Sequence, residues 1–381
     1  MGNKWVPLIV LTIGHFVNDF YQYIIPLLLP FLVPEFGFSY FSGGILVASY
    51  LGVTMVMNPI IGRFADHHRK RKLIMCLGLA FLSIFTSALS LANSYLTLLI
   101  LSLAIGVGFS TFHPQSTKFI QFNYREKMGR YMGLHGMGGG AGLFATPVIM
   151  VPLLNTLGWR TALSFIFIPG CLAALMLWIF LKEAETEPNR NLPGVKLRPL
   201  ILLSTVHGLS GFVFRGFINF LPLYFVVVRA TDVIQMGLLT GLVLATALIA
   251  EPLGGSISDR IGRRKMYMIS MIIMMLSLLA FTNSSGPISV LWLILIGFWA
   301  QAVMPVGLTF ASELGPEERA GTCVGIVYGA SMGLSLISTL IVGYLIDSIG
   351  FYWSFMALSF FAGFAAILTR LLPTQQITNP K

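Results

Sequence analysis

The stretch GSISDRIGRRK (residues 255–265) closes an apolar segment of the chain with small residues, an acid and a run of basic residues. A related stretch, GRFADHHRKRK (residues 62–72), closes another apolar segment much earlier. The glycine and the aspartate of the two stretches lie about 193 positions apart, and a shift of about 192 also aligns His15 with His207. Self-similarity at one fixed shift indicates an internal repeat. The chain is therefore predicted to consist of two related halves.

The composition indicates that both halves lie in a membrane. Hydrophobic residues make up 56% of the 381 residues and charged residues only 10%, whereas an ordinary soluble domain has about 25% charged residues. A bilayer core about 30 Å thick requires roughly 20 apolar residues for each spanning helix. The predicted fold class is therefore an all-α membrane protein.

Windows with few charged residues predict twelve transmembrane helices, which we number as spans 1 to 12. Six of them fall in each half: an N-terminal half covers residues 1–181, a cytoplasmic linker covers 182–197, and a C-terminal half covers 198–381. The linker is too short for a further soluble domain. The spans are predicted at 5–33, 43–64, 73–92, 96–117, 130–155, 160–181, 199–228, 236–256, 266–284, 288–312, 321–346 and 350–372.

The basic residues predict the orientation of the spans. All of the 24 lysine and arginine residues except Arg160, Arg215 and Arg229 fall in loops or termini on one face. The positive-inside rule places that face, and with it both termini, in the cytoplasm. The net charge of +10 is accounted for by this asymmetry, and no nucleic-acid-binding motif accompanies it. Nucleic acid is therefore not an expected partner, and a plasma or inner membrane is the expected location.

Twelve spans in two halves, with these two loop stretches, resemble the major facilitator superfamily and its GxxxDRxGRR signature. The second stretch carries the signature intact, whereas the first has His67 in place of arginine and Arg69 in place of glycine. GHFVND (14–19) in span 1 and FHPQS (112–116) in span 4 resemble the fosmidomycin-resistance group of drug efflux transporters, whose FHPE motif reads FHPQ here. The group's substrate is a phosphonate antibiotic. The resemblance implies a major facilitator fold with a cavity near the midplane, lined mainly by spans 1, 4, 7 and 10.

Span 1 carries a polar face within an apolar helix. His15, Asn18, Asp19 and Gln22 are spaced i, i+3, i+4 and i+7, so their side chains share one face. A charged residue at the midplane costs about 2.5–3.5 kcal/mol, which favours a partner or a wet cavity. Asp19 is predicted to carry a proton, with His15 as a relay. Asn18 and Gln22 are predicted to contact the substrate.

Span 7 is the counterpart of span 1 in the second half and also has a polar face. It carries His207, Arg215 and Asn219, which are predicted to bind substrate. Arg215 is the candidate anchor for an anionic group. The alternative is a static bridge between Asp19 and Arg215 that holds the halves together.

Spans 4 and 10 add three further candidates for substrate binding. His113 precedes Pro114, and a proline within a helix frees the carbonyl one turn back and bends the segment. His113 is predicted to bind substrate or a proton, and the alternative is a hydrogen-bonded core histidine. Gln115 and Gln301 are predicted to hydrogen-bond a polar head group.

The two loop stretches are predicted to gate the cytoplasmic side. Their aspartates end spans 2 and 8, where the helix dipole disfavours an acid, so each requires a partner from elsewhere. The superfamily resemblance implies a latch that closes this side. The predicted gating residues are Gly62, Asp66, Gly255, Asp259, Arg260 and Arg263.

Two transport functions fit these features. The first is a proton-coupled antiporter that exports small anionic or amphipathic compounds by alternating access; the alternative is a proton-coupled uptake symporter for a small organic or phosphorylated anion. An enzyme, a cofactor and a metal site are not expected, because no catalytic motif occurs and the intramembrane candidates His15, His113 and His207 lie in different spans. The expected partners are a small-molecule substrate, protons and the lipid bilayer, and the chain is expected to be a monomer.

Overall fold

The computed structural model describes residues 5–124, 128–183, 197–315 and 320–373. Within these ranges the regular structure consists of α-helices and short 3-10 turns, without a β-strand. The helices are α1 Trp5–Gln22, α2 Ile24–Phe36, α3 Tyr40–His68, α4 Arg71–Ala88, α5 Tyr95–Phe109, α6 Phe112–Asn123, α7 Met128–Leu157, α8 Trp159–Ser164, α9 Phe167–Phe180, α10 Leu197–Ile218, α11 Leu221–Val227, α12 Val233–Ala245, α13 Ala247–Ile261, α14 Arg263–Thr282, α15 Pro287–Glu313 and α16 Ala320–Leu368.

Eleven helical segments of the described chain are long and apolar enough to cross a membrane. The last of them, Thr322–Leu371, has 50 residues, which at 1.5 Å per residue would extend about 75 Å, more than twice the bilayer core. The backbone leaves the helical region at Gly350, with φ 79° and ψ 171°, so α16 consists of two helices. The fold class is confirmed as an all-α membrane protein, and the segments correspond to the twelve predicted spans. The break falls at Gly350, where the last predicted span begins, and the helix runs on through residues 347–349 between the two predicted spans.

Prolines explain where spans 1 and 4 are interrupted. Pro26 lacks an N–H for the carbonyl of Gln22, four residues earlier, and α1 ends there. The hydroxyl of Tyr50 donates to that free carbonyl at 2.9 Å. Pro114 acts in the same way on span 4, where α5 ends at Phe109 and α6 begins at Phe112. Each interruption brings polar groups to the middle of a membrane span.

The chain divides into two compact units. The first comprises Met1–Pro188 and Pro222–Gly241, and the second comprises Asn189–Leu221 and Leu242–Lys381. The predicted halves differ from these units mainly in the segment Pro222–Gly241, and their boundaries at 181 and 198 stay a prediction. Most of the predicted linker lies at 184–196, outside the described residues.

In the first unit, glycines allow α1 and α7 to pack closely. A methyl group on Gly138 would lie 2.4 Å from the carbonyl oxygen of Thr12, and one on Gly142 would lie 2.1 Å from that of Phe16. Both distances are shorter than any van der Waals contact, so only glycine fits at these two positions. In the second unit α10 packs along α16, which pairs the first and fifth spans of each predicted half.

The first loop stretch contains a strained residue at its departure from the signature. Arg69 ends α3 with φ 54°, in the left-handed region, where the second stretch has Gly262 with φ 93°. A left-handed residue with a Cβ costs about 1–2 kcal/mol.

We therefore expect Arg69→Gly to unfold at a higher temperature in detergent than Arg69→Ala, by a few degrees. Both variants remove the same charge, and only the first removes the Cβ. Equal melting temperatures would show that the left-handed backbone at residue 69 is not strained.

Candidate substrate and proton site

The carboxylate of Asp19 lies at the centre of a buried polar cluster in the first unit. Its Oδ1 accepts a hydrogen bond from Asn18 Nδ2 at 3.0 Å and lies 3.2 Å from His113 Nε2. Its Oδ2 lies 3.3 Å from His15 Nε2, one turn earlier on α1. The side chain of Asp19 is only 10% exposed, and that of His113 is 24% exposed. The structure therefore brings together four predicted site residues from spans 1 and 4.

The backbone of α7 determines how His15 holds its protons. His15 Nδ1 lies 2.7 Å from the carbonyl oxygen of His135. Because a carbonyl only accepts, Nδ1 must carry a hydrogen. The contact between His15 Nε2 and Asp19 Oδ2 then needs one further hydrogen, on either the imidazole or the carboxyl group. The pair therefore has the geometry to share one proton.

His113 has two hydrogen-bonding states in the same position. Its Nε2 lies 3.2 Å from Asn18 Nδ2, a donor, and 3.2 Å from Asp19 Oδ1, an acceptor. An unprotonated Nε2 accepts from Asn18, whereas a protonated Nε2 donates to Asp19. The imidazole can therefore accept from Asn18 or donate to Asp19 without any change in the positions of its partners.

His135 is a member of this cluster that the sequence analysis missed. Its ring stacks on that of His15 at a centroid distance of 4.2 Å, and its Nε2 lies 3.2 Å from Ser116 Oγ. The side chain is buried. The sequence did contain a feature that could have identified His135, because an ionisable residue in a membrane span is a candidate functional residue by position alone.

Three members of the cluster present potential metal ligands. His15, Asp19 and His113 each offer one ligand atom, and these atoms lie within 4.8 Å of one another. Imidazole and carboxylate ligands suit several transition metals, so the fold brings together residues that the sequence analysis kept apart. The separations of 3.2–3.3 Å are close to hydrogen-bond lengths, and we interpret the cluster through its hydrogen bonds.

Two other predicted residues of the first unit are buried near these helices' polar faces. Gln22 offers its main-chain carbonyl to Tyr50, as described above. Gln115 is completely buried on α6, and neither its amide oxygen nor its amide nitrogen has a hydrogen-bond partner within the described ranges. A buried polar group without a partner is costly, which makes Gln115 a candidate for contact with water or substrate.

In the second unit, His207 and Asn219 are tied to neighbouring helices. His207 Nδ1 lies 2.7 Å from the hydroxyl of Tyr267, and Asn219 Nδ2 donates to Thr339 Oγ1 at 3.0 Å. Both side chains are buried. The repeat aligns His207 with His15, but His207 has no carboxylate beside it in the described part of the chain.

Arg215 and Gln301 line a common pocket in the second unit, together with Ser331 and Ser335 of α16. The guanidinium of Arg215 forms neither an ion pair nor a hydrogen bond with any described residue. The pocket has no acidic residue among its described lining. The predicted anion anchor is thus available for a ligand.

The second loop stretch forms an ionic network at the junction of α13, α14 and α15. Arg263 Nη1 lies 2.6 Å from Asp259 Oδ1 and also donates to Ser258 Oγ, while Nη2 donates to Glu313 Oε1 at 3.2 Å. Two predicted gating residues therefore meet, and the sequence analysis did not select Glu313 as their partner. Arg260 is exposed outside this network.

The glycines and the first aspartate of the loop stretches leave the gating prediction untested. A methyl group on Gly62 or Gly255 would meet no described atom within 4 Å. The side chain of Asp66 lies outside what the structure describes. The latch stays a prediction.

Comparison with known proteins agrees with this architecture. The Major Facilitator Superfamily model matches residues 11–234 and 203–381. The chain is similar to the fosmidomycin resistance protein of Escherichia coli (strain K12), with 23% identity over 88% of this chain and 85% of that protein. It is also similar to the cis,cis-muconate transport protein of Acinetobacter baylyi, with 24% identity over 86% of this chain and 84% of that protein.

Solved structures share the fold. A bacterial homolog to the human lysosomal transporter Spinster superposes with a TM-score of 0.84 and 17% identity, over 96% of both chains. Family members of this kind transport substances across membranes and are not enzymes. Since the family model covers nearly the whole chain, the protein belongs to the major facilitator superfamily of membrane transporters.

Proposed function

We propose that the protein is a proton-coupled antiporter that exports small anionic or amphipathic compounds across the plasma or inner membrane by alternating access. The observation that carries the proposal is the cluster of His15, Asp19 and His113. It lies in the membrane region, places His15 Nε2 within 3.3 Å of Asp19 Oδ2, and sets His113 Nε2 between the donor Asn18 and the acceptor Asp19. Ionisable residues inside membrane spans are costly and therefore rare, which favours a functional role for such a cluster. Proton coupling is a role that requires ionisable groups at this depth.

The anionic character of the substrate is supported by the second unit. Arg215 is a cation without a protein partner in the described chain, beside Gln301 in a pocket free of described acids. The two relatives named above point the same way: fosmidomycin is a phosphonate, and muconate is a dicarboxylate. Gln22, Gln115, His207 and Asn219 are proposed as further polar contacts along the substrate path.

Export is proposed on the resemblance of spans 1 and 4 to the fosmidomycin-resistance group and on the similarity to that protein. The alternative is proton-coupled uptake of a small organic or phosphorylated anion, which requires the same cluster and the same arginine.

We further propose that the chain acts as a monomer. Both termini are proposed to lie in the cytoplasm, as the basic loops indicate.

The test is internal pH in proteoliposomes of the purified protein. Fosmidomycin, cis,cis-muconate and a panel of lipophilic drugs are added in turn while a pH gradient is imposed across the liposome membrane. Proton movement opposite to the compound supports antiport, and movement with it supports the uptake alternative. Transport of a labelled compound without any proton movement would overturn the coupling.

A further inference from the structure

The pocket in the second unit contains two hydroxyl groups that the sequence did not single out. Ser331 and Ser335 lie one turn apart on α16 and face Gly211 of α10. A methyl group on Gly211 would lie 2.7 Å from Ser331 Oγ and 3.0 Å from Ser335 Oγ. Both oxygens therefore converge on one small volume, which the missing side chain of Gly211 leaves open.

These hydroxyls are without partners, unlike their neighbours. A serine in a membrane helix usually donates to a carbonyl three or four residues earlier or to an adjacent helix. Ser338 donates to the carbonyl of Phe212, and Ser359 donates to that of Met356. Ser331 and Ser335 are each only 5% exposed, yet neither hydroxyl forms a hydrogen bond with any described residue.

Gln301 shares this condition. It lines the same pocket and is 6% exposed, and its side-chain amide forms no hydrogen bond to described residues. Together with Arg215, the pocket thus holds four side chains whose donors are unused by the protein. Their donors point into a pocket that an occupant with acceptor oxygens could fill, because hydroxyl, amide and guanidinium groups all donate hydrogen bonds.

The charge and the size of the pocket indicate the occupant. Arg215 is the single charged residue among the described lining, so the favoured ligand carries negative charge. The cavity measures about 30 Å³, and one water requires about 10–15 Å³ on this scale. There is room for about two water-sized groups, which corresponds to the oxygens of a single acidic head group.

We propose that Arg215, Ser331, Ser335 and Gln301 form a binding site for one oxyanion head group, in which the guanidinium supplies the charge and the two hydroxyls supply neutral hydrogen bonds. This inference rests on the proposed transport of anions and names the residues that select them. It makes α16 part of the substrate site, and it assigns Gly211 the role of keeping the two hydroxyls accessible.

The test compares Ser331→Ala, Ser335→Ala and the double variant with the matched control Ser348→Ala, whose exposed hydroxyl bonds the carbonyl of Tyr344. The probes are cis,cis-muconate, fosmidomycin and nitrate, measured by transport kinetics and by the rise in melting temperature that each anion causes. We expect each alanine to raise KM about tenfold, with kcat changed less. Ser331→Thr, which keeps the hydroxyl, is expected to restore KM, and Gly211→Ala is expected to abolish anion stabilisation.

The outcomes separate this inference from the proposed function. Anion-induced stabilisation that the serine variants lose, without proton flux for any compound, would support the oxyanion site and overturn the coupling. Proton flux driven by lipophilic drugs, in a protein whose melting temperature none of the three anions raises, would overturn the oxyanion site and leave the coupling intact. An unchanged KM for an anion that the wild type transports would also overturn it.

Discussion

Asp19→Asn is expected to lower substrate-driven proton flux by at least about a hundredfold while leaving the fold intact. Asparagine has nearly the same shape as aspartate and still accepts from Asn18 through its carbonyl oxygen. It cannot share a proton with His15, because an amide does not titrate. Loss of a positioned proton donor or acceptor typically costs about 10²–10⁴-fold in rate.

The measurement separates proton coupling from substrate binding. Exchange of labelled for unlabelled substrate at equal pH on both sides needs no net proton movement, so Asp19→Asn is expected to retain it. The rate of net transport should lose its dependence on the pH gradient in the same variant. If net flux still follows the gradient, the proton resides elsewhere, and Asp19 holds His15 and His113 in place as a structural acceptor.

His113→Gln provides the complementary variant. Glutamine can replace the imidazole as a donor to Asp19 or an acceptor from Asn18, but it cannot change its charge. If the coupling proton binds at His113, this variant should lose the response to the pH gradient as Asp19→Asn does. If His113 instead contacts substrate, the expected change is a higher KM with proton coupling retained.

The members of the proton cluster were only partly predictable from the sequence. The spacing of His15, Asn18 and Asp19 placed them on one face, because helical periodicity is a local property. That His113 would meet this face depends on the packing of α6 against α1, which no local pattern encodes. His135 was overlooked within a glycine-rich span, although its burial in a membrane made it a candidate on the same grounds as Asp19.

In the second unit, the sequence analysis missed Ser331, Ser335 and Glu313 for a different reason. Arg215 and Gln301 were found because charged and amide side chains are rare in membrane spans. Ser331 and Ser335 gave no such signal, since serine usually satisfies its hydroxyl within its own helix. Only the packed structure shows that these two hydroxyls have no hydrogen-bond partner among the described residues. Glu313 was missed for a related reason, because its partner Arg263 lies 50 residues away in sequence. The helical spans themselves followed from composition, whereas the interruptions within spans 1 and 4 and the continuous helix up to Gly350 were seen only in the structure.

Three alanine substitutions along one helix are expected to have three different outcomes, because α7 approaches α1 at different atoms. At Gly139 a methyl group would lie 2.6 Å from both Asp19 Oδ2 and His15 Nε2, which are the ends of side chains. At Gly142 it would lie 2.1 Å from the backbone carbonyl of Phe16, and at Gly136 it would meet no described atom within 4 Å.

Side-chain ends can turn aside, whereas a helix backbone can yield only if the whole helix moves. Gly139→Ala is therefore expected to separate the His15–Asp19 pair and to reduce proton flux at least about tenfold, with little change in melting temperature. Gly142→Ala should lower the melting temperature markedly, since overpacking costs about 1–3 kcal/mol and occasionally more. Gly136→Ala is the matched control and should be neutral or slightly stabilising, because alanine is favoured over glycine within a helix by about 1 kcal/mol.

Melting temperature and proton flux, measured on the same three preparations, distinguish a functional contact from a packing contact. The decisive variant is Gly139→Ala, which leaves the chemical identity of every member of the proton cluster unchanged. A loss of flux in a protein that melts like the wild type means that the distance between His15 and Asp19 governs coupling. If the loss of proton flux in Gly139→Ala only parallels a loss of folded protein, as expected for Gly142→Ala, the glycines of α7 serve helix packing alone. The close approach of Gly139 to the His15–Asp19 pair then has no part in coupling.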